Sequence, residues 1–401
     1  MESLSDFYLH GQILLTGGMA LGCALNALTA PRAEKLSPPR GSPKVSLLIP
    51  ARNEGANLPF LLPCLERLRW EDLEILVLDD HSEDDTRLQL ERAAKGNKRL
   101  RILSGSALPP QWLGKNWACQ QLSEAARGDI LLFCDADTRP APDAITRTVS
   151  LLEKYGTGMA SFIPRQILGT WSEKAVIPVL LHLSCCSSLP IALIPHFRWP
   201  ALGVANGQWL AFTRPAYAMI GGHRAVRDHV VEDLALARLA QTTGTGLVLA
   251  LASHTLEVRM YRDFKGVWEG FGKNLFILGT PRMLGWLPLL AIFLWAQFAP
   301  FLTAFWALAR TLTEGMAGPG FAALGYGPIV TSMIPMIFLF TARTISGSLL
   351  REPWSAILWQ PVGALLVPII AAASRRKRAS GRLAWKGRLL ATSTPPLETY
   401  P

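Results

Sequence analysis

Charge is spread so unevenly along this chain that it must fold against two different solvents. Residues 44–129 are rich in charged side chains and read as water-facing, whereas 283–373 are almost free of them. Only 17% of the chain is charged and half is hydrophobic, against roughly 25% charged in soluble domains. Residues 9–30 form a first apolar segment, interrupted only by His10, Gln12, Thr16, Asn26 and Thr29 and ended by Pro31. That length suits a helix crossing a hydrocarbon core of about 30 Å. Glu2 and Asp6 precede it, and Arg32, Lys35, Arg40 and Lys44 follow it. This is the reverse of a signal peptide and predicts an anchor with its N-terminus outside. Gly18 and Gly22 have helix-pairing spacing, a signal of low specificity in a Gly/Ala-rich segment.

Further apolar segments lie at 283–308, 321–341 and 354–373. Three crossings would carry the tail, 374–401, away from the cytoplasm, yet seven basic residues stand between Arg375 and Arg388, against the positive-inside tendency. Pro361 and Pro368 therefore predict a last segment that is broken or re-entrant, with a cytoplasmic tail. Residues 176–195 are also apolar. Pro178, His182, Pro190 and several serines predict a segment lying at the interface or over an acceptor cleft, because a crossing would separate Asp135 from Asp233. Residues 256–282 mix Arg259, Arg262, Lys265 and Lys273 with Met260, Phe264, Trp268, Phe271 and Phe276, the pattern of an amphipathic helix in the membrane plane. The net charge of +10 is accounted for by basic residues flanking apolar segments. No aromatic-interleaved basic stripe is present, so nucleic acid is not an expected partner. Six cysteines show no metal or disulfide spacing, in keeping with a reducing compartment, and seven histidines contain no zinc motif. The C-terminal third lacks repeated halves or acids within its apolar segments, which argues against a transporter.

After a proline-rich linker at 32–43, residues 44–255 read as one catalytic domain. Short apolar runs at 45–50, 74–78 and 129–134 alternate with helical patterns at 58–68 and 84–95. Such alternation predicts a parallel sheet with crossover helices, in which ligands bind beyond the carboxyl ends of the strands. Polar clusters stand at those ends. Pro50-Ala51-Arg52-Asn53-Glu54 follows the first run and, alone, is also what a solvated loop looks like. Asp79-Asp80-His81-Ser82 follows the second. A capped helix start accounts for Ser82 and Asp84, but not for two carboxylates directly after an apolar strand. Asp135 and Asp137 follow the third. In extended geometry alternate side chains share a face, so the two carboxylates can converge on a hard divalent cation, Mg2+ or Mn2+, that also takes phosphate oxygens. Glu232-Asp233 opens a later helical run, as a helix cap or as the general base for an acceptor hydroxyl, with burial and Glu232 raising the pKa of Asp233. Lys115, after Gly114, offers a cation for phosphate or is a surface lysine.

Taken together, the motifs from Pro50 to Asp233 resemble the family-2 glycosyltransferases, whose nucleotide-diphospho-sugar transferase fold is called GT-A. Arg259-Met260-Tyr261-Arg262, Val267-Trp268-Glu269-Gly270-Phe271, Lys273-Asn274 and Trp385-Lys386-Gly387-Arg388 extend the likeness to membrane-bound carotenoid glycosyltransferases of the diaponeurosporenoate and myxoxanthophyll types. The resemblance implies an α/β GT-A domain with an N-terminal transmembrane anchor and C-terminal transmembrane helices, in the cell membrane with the catalytic domain cytoplasmic. It implies that Pro50, Ala51, Arg52, Glu54, Asp79 and Asp80 hold the nucleoside of a UDP- or GDP-sugar. Asp135 and Asp137 would position its diphosphate and metal, with Asp137 the direct ligand and Lys115 assisting. Asp233, beside Glu232, would be the base of an inverting transfer of one sugar to a lipid acceptor, a carotenoid or related isoprenoid. Arg262 and Trp268 stand where polymer-forming relatives carry Gln-x-x-Arg-Trp, so they fall on the acceptor and interface side. The departure from that motif disfavours a processive polysaccharide synthase. A glycerolipid, a hopanoid or a polyprenyl phosphate stays open as the acceptor.

Overall fold

The computed structural model describes residues 2–275, 287–314, 328–380, 384–385 and 388–389. The chain opens with α1 (Glu2–Thr29). The catalytic unit follows as β1 (Val45–Ala51), α2 (Leu58–Glu66), β2 (Leu73–Asp79), α3 (Thr86–Gly96), β3 (Leu100–Ser104), α4 (Gly114–Ala125), β4 (Ile130–Cys134), β5 (Thr138–Pro140), α5 (Ala144–Tyr155) and β6 (Met159–Gln166). Next come α6 (Trp171–Ile177), a wide π-type turn at Pro178–Leu183, α7 (Ser184–Ser188), β7 (Trp209–Thr213), α8 (Arg214–Met219), α9 (Gly222–Ala225), α10 (Glu232–Thr242) and β8 (Leu247–Val258). The described residues beyond β8 include the helices α11 (Phe264–Gly272), α12 (Leu287–Gln297), α13 (Ala299–Glu314), α14 (Pro328–Leu349) and α15 (Gln360–Ala379), and a small hairpin of β9 (Ala384–Trp385) and β10 (Arg388–Leu389).

The eight strands form one sheet in the order β3-β2-β1-β4-β7-β6-β8-β5. The first four run parallel, as the alternation of strand and helix predicts. The other half corrects the expectation of a parallel sheet: β7 lies antiparallel between β4 and β6, and β5 antiparallel to β8. Both faces are covered. Leu47 and Ile49 of β1 enter the apolar layer under α2 and α5, while Leu48 enters the opposite layer with α4, α1 and α14. Burial on both sides is why these strands read as continuous apolar runs.

Among the described residues three helices are long and apolar enough to cross a membrane, at Phe7–Thr29, Val330–Leu349 and Trp354–Ala379, and a fourth candidate is the bent pair Leu287–Gln297 and Ala299–Ala309. The break falls in that pair, at 48°, and not in the last segment as expected. Pro361 occupies the first turn of α15, where its missing N–H costs nothing, and the helix continues through Pro368. The expected start of one segment at 283–286 and of another at 321–327 lies outside the described residues, as do Phe276 and 277–282. The run 176–195 is not one straight helix but α6, the π-type turn, α7 and a short 3-10 turn. Gly22 lets the backbone of Ser187 approach α1 closely, whereas Gly18 faces open space. The expected in-plane helix is confined to α11, because Arg259 is tied to the turn after β4 and β8 itself runs to Val258. α1 and α14 run side by side and both end on β8: the Leu251 amide donates to the Pro31 carbonyl at 2.8 Å and Ser253 Oγ to the Leu349 carbonyl at 2.9 Å. α14 also runs past the expected end at 341. It thereby buries Arg343, whose Nη2 pairs with Glu352 at 2.7 Å.

Candidate active site

The carboxyl ends of β2, β1 and β4 lie side by side, with Ala51 registered against Asp79. The Asp80 amide donates to the Ala51 carbonyl at 2.8 Å. Two loops interlock there. Arg52 Nη1 donates to the Asp80 and His81 carbonyls, the Asn53 amide to Ser82 Oγ, the Glu83 amide to Asn53 Oδ1, the Glu54 amide to Thr86 Oγ1 and the Gly55 amide to Asp84 Oδ2. Asn53 and His81 take the left-handed conformation, at φ 51° and 55°, which lets both loops turn back at once. Asp79 Oδ1 accepts from the Ser82 amide, so its carboxylate shapes the turn. Asp79, the last residue of β2, and Asp80 are both buried. Pro50 is half-buried, Ala51 is fully buried and Glu54 Oε2 accepts from Asn57 Nδ2.

On the other side of β1 the charges converge. Lys115 sits in the first turn of α4, a position unfavourable for a cation, and two carboxylates hold it there. Its Nζ lies 2.8 Å from Asp135 Oδ1 and 3.1 Å from Oδ2, and 2.8 Å from Glu232 Oε1. Burial raises the Glu232 carboxyl, but the cation and bond of Lys115 outweigh it and hold the group below its ordinary value. Lys115 is correspondingly pushed well above its own: burial opposes the charge, and Asp135 and Glu232 overcome it. Asp233 behaves oppositely. Burial, and then the Glu232 charge beside it, push its carboxyl up to about 7, against the pull of Lys115 and of bonds from Leu234 and Gly207. Its Oδ2 accepts from the Gly207 amide at 2.7 Å and its Oδ1 from the Leu234 amide at 2.8 Å. Two adjacent carboxyls with opposite shifts are the environment in which one stays charged and the other exchanges a proton near neutrality. Val231 stands at the cap position of α10 and makes no side-chain cap bond, so Asp233, inside the first turn, is not the cap of this helix.

The sequence reading needs one correction in this region. Asp135 and Asp137 do not share a face of an extended strand: β4 ends at Cys134, and the Thr138 amide closes a tight turn on the Asp135 carbonyl. Asp135 therefore turns to Lys115. Asp137 sits toward β8, its carbonyl accepting from the Arg259 amide. Arg262 Nη2 donates to the Ala56 carbonyl and Asn57 Oδ1 beside β1, while Trp268 packs on Phe264 within α11.

Several residues escaped the sequence reading. Asn116, next to Lys115 and fully buried, donates through Nδ2 to the carbonyls of Val226, Arg227 and His229. One amide thus fixes the loop that leads into α10 and its two acids. Asn206-Gly207-Gln208, ahead of β7, supplies the Gly207 amide to Asp233 and the Gln208 carbonyl to the Asp135 amide. A side chain at Gly207 would crowd Asp233 Oδ2, at 3.1 Å. The Asn-Gly turn signal before an apolar run was visible in the sequence. His223 is buried against Phe133, its Nδ1 at 2.7 Å from the Tyr217 hydroxyl, and burial lowers its pKa to about 3. It stays neutral behind Glu232. Among the described residues no group of three or more His, Cys, Asp or Glu side chains forms a ready-made metal cage.

Residues 46–180 match the model of glycosyl transferase family 2. The chain is 28% identical over 243 residues to the 4,4'-diaponeurosporenoate glycosyltransferase of Staphylococcus haemolyticus, covering 58% of this chain and 60% of that protein. It is 29% identical over 160 residues to the beta-monoglucosyldiacylglycerol synthase of Trichormus variabilis, covering 39% and 33%. The chain thus spans less than two thirds of these relatives. The mannosyltransferase PcManGT of Pyrobaculum calidifontis superposes with a TM-score of 0.50 at 18% identity, over 94% of this chain and 98% of that one. At that identity the likeness concerns the fold, which is GT-A. The family match ends before Gly207 and Asp233.

Proposed function

We propose that this chain, which carries a glycosyl transferase family 2 domain at residues 46–180, is an inverting glycosyltransferase. It moves one sugar from a UDP- or GDP-sugar to the hydroxyl or carboxyl of a membrane lipid, a carotenoid or related isoprenoid. The observation that carries this reading is Asp233. A buried carboxyl poised at about 7 stands on the same sheet edge as Asp135 and Lys115, linked to them through Gly207-Gln208 and Glu232. A base with a pKa near the working pH is the efficient acceptor of the proton that the attacking oxygen loses. The cradle of Ala51, Arg52, Glu54 and Asp80, at the ends of β1 and β2, lies one to two strand spacings, roughly 5–10 Å, from the end of β4, a separation that a nucleoside diphosphate bridges.

Asp137, with Asp135 committed to Lys115, is the direct ligand for Mg2+ or Mn2+. The ion would take its other oxygens from diphosphate and water. When bound, the ion neutralises charge on the departing nucleoside diphosphate. Lys115 faces the same leaving group. The PcManGT complex contains GDP-Man and Mn2+, which supports a nucleotide-sugar and a divalent ion here. A single buried base at the site favours single displacement. The long apolar helices support a reaction at a membrane surface, and the basic flanks favour its cytoplasmic face.

The match to a glucosyldiacylglycerol synthase supports a second acceptor, a diacylglycerol. Membranes bearing the protein, supplied with a panel of nucleotide sugars and either a polyene alcohol or acid or a diacylglycerol, separate the two when products are read by mass spectrometry. A glycosylated polyene is expected. A product formed only on diacylglycerol transfers the assignment to the second acceptor, and no glycosylated lipid from any donor overturns the function.

A further inference from the structure

The three residues Asn206-Gly207-Gln208 touch both halves of the site. The Gly207 amide donates to Asp233 Oδ2 at 2.7 Å. The Gln208 carbonyl accepts from the Asp135 amide and from Thr138 Oγ1, each at 3.2 Å, and those two residues open and close the turn that carries Asp137. Side chains hold the 206–208 segment from behind. The Asn206 amide donates to Ser161 Oγ of β6 at 2.8 Å, and Asn206 Oδ1 accepts from the Gln208 amide at 3.0 Å. Gln208 Oε1 accepts from Gln166 Nε2 at 2.9 Å. An irregularity brings Gln166 there. β6 and β8 slip register between Pro164 and Arg165, so that Gln166 pairs with Val258, and such a slip re-aims the side chains that follow it. Val258 pairs on its other side with Thr138. Gln208 is thus bonded from both strands that flank the end of β8.

Packing does not account for this pair of amides. Gln166 and Gln208 are 2% and 6% exposed, and Gln166 Oε1 has no hydrogen-bond partner among the described residues. A buried carbonyl left unpaired lowers stability, and two apolar side chains would fill the same space without that loss. We infer that Gln208, gripped by Gln166, is a positioning residue that sets the distance between the metal-holding turn and the base. The inference rests on the glycosyltransferase reading above and adds the element that registers its two halves. A hydrogen bond has direction, so the amide pair admits one placement of the 206–208 segment. When the segment shifts, the Gly207 amide moves with it, and Asp233 loses its line to the sugar. A misplacement of about 1 Å lowers a rate by up to roughly a hundredfold. The metal-holding turn keeps its own closure, the Thr138 amide on the Asp135 carbonyl, so donor binding is spared.

The test uses the full chain in detergent. Methionine has nearly the shape of glutamine without its amide. Gln166→Met and Gln208→Met each leave one buried amide short of its partner, whereas the double variant leaves neither, a change that is nearly neutral for stability. Each single variant should lower Tm, and the double variant should recover most of the loss. Transfer of labelled sugar to lipid should nevertheless fall about tenfold or more in kcat in all three. The donor KM, and the Mn2+ concentration that half-saturates donor binding, should stay within about twofold. Recovery of kcat together with Tm in the double variant makes the pair merely structural and overturns the inference. A full rate in either single variant, or a loss carried by donor KM, overturns it as well. If the wild type transfers no sugar to any lipid, the glycosyltransferase reading fails by itself. Amide exchange at 206–208, followed by mass spectrometry, then decides whether the pair holds the segment. Faster exchange in all three variants than in the wild type supports the grip, and unchanged exchange overturns it.

Discussion

Replacing Glu232 by Gln isolates the electrostatic half of the Asp233 assignment. Burial and the Glu232 charge together lift the Asp233 carboxyl to about 7; the substitution removes the second and leaves the first. Carboxylates of consecutive residues at a helix start are separated by roughly 6–8 Å, and at an effective dielectric of about 20 such a pair repels by about 2–3 kcal/mol. That is roughly 1.5–2 pH units, so the Asp233 pKa should fall to between about 5 and 5.5. A general base works ionised, so the rate rises with pH through its pKa. At pH 6 the wild type should run at about a tenth of its plateau and the variant near its own plateau. The assay is kcat/KM for transfer of labelled sugar into extractable lipid between pH 4.5 and 8.5, with circular dichroism to establish folding. An acidic limb that stays at about 7 in a folded Glu232→Gln protein refutes the reasoning.

Lys115→Met should lower Tm at neutral pH, because Asp135 and Glu232 lose their shared cation. Glu232 is held below its ordinary pKa in the fold, so its stabilisation is present above about 4.5. It is lost as pH falls through the depressed value, and the Tm gap between variant and wild type should close in acid. A gap independent of pH contradicts the ion-pair account. Asn116→Leu leaves three carbonyls without their donor, a cost of about 1–3 kcal/mol for buried groups. It should reduce kcat at least tenfold with little change in donor KM; loss of donor affinity alone speaks against a role in holding the α10 loop. The glycosidic product should be β-linked from an α-linked donor, read by the anomeric proton coupling, and an α-linked product excludes single displacement.

The parallel half of the sheet was readable because β1, β2 and β4 are buried on both faces and appear as short apolar runs between helical patterns. The antiparallel half was not, because an apolar run reports burial and says nothing of the direction of its neighbour. β6 pairs with β7 and β8 through residues that lie 49 to 92 positions apart in the sequence. The acidic strand tips were visible as types and order. Their division of labour was not: Asp135 and Asp137 part company because β4 ends at Cys134 and the chain turns. The donors to Asp233 and to the 226–229 loop come from Gly207, marked in the sequence only by an Asn-Gly turn signal, and from Asn116, which carries no signature of its own. The π-type turn at Pro178–Leu183 and the continuous α15 through Pro368 show how packing overrides single prolines.

Two substitutions, measured together, address the convergence of these acids on one centre. Mn2+-dependent binding of UDP- and GDP-sugars, by calorimetry, and sugar transfer to lipid should both vanish in Asp137→Ala. Asp233→Asn should bind donor and metal like the wild type and transfer no sugar. Metal-dependent donor binding that survives Asp137→Ala, or transfer that proceeds at the wild-type rate in folded Asp233→Asn, contradicts the account.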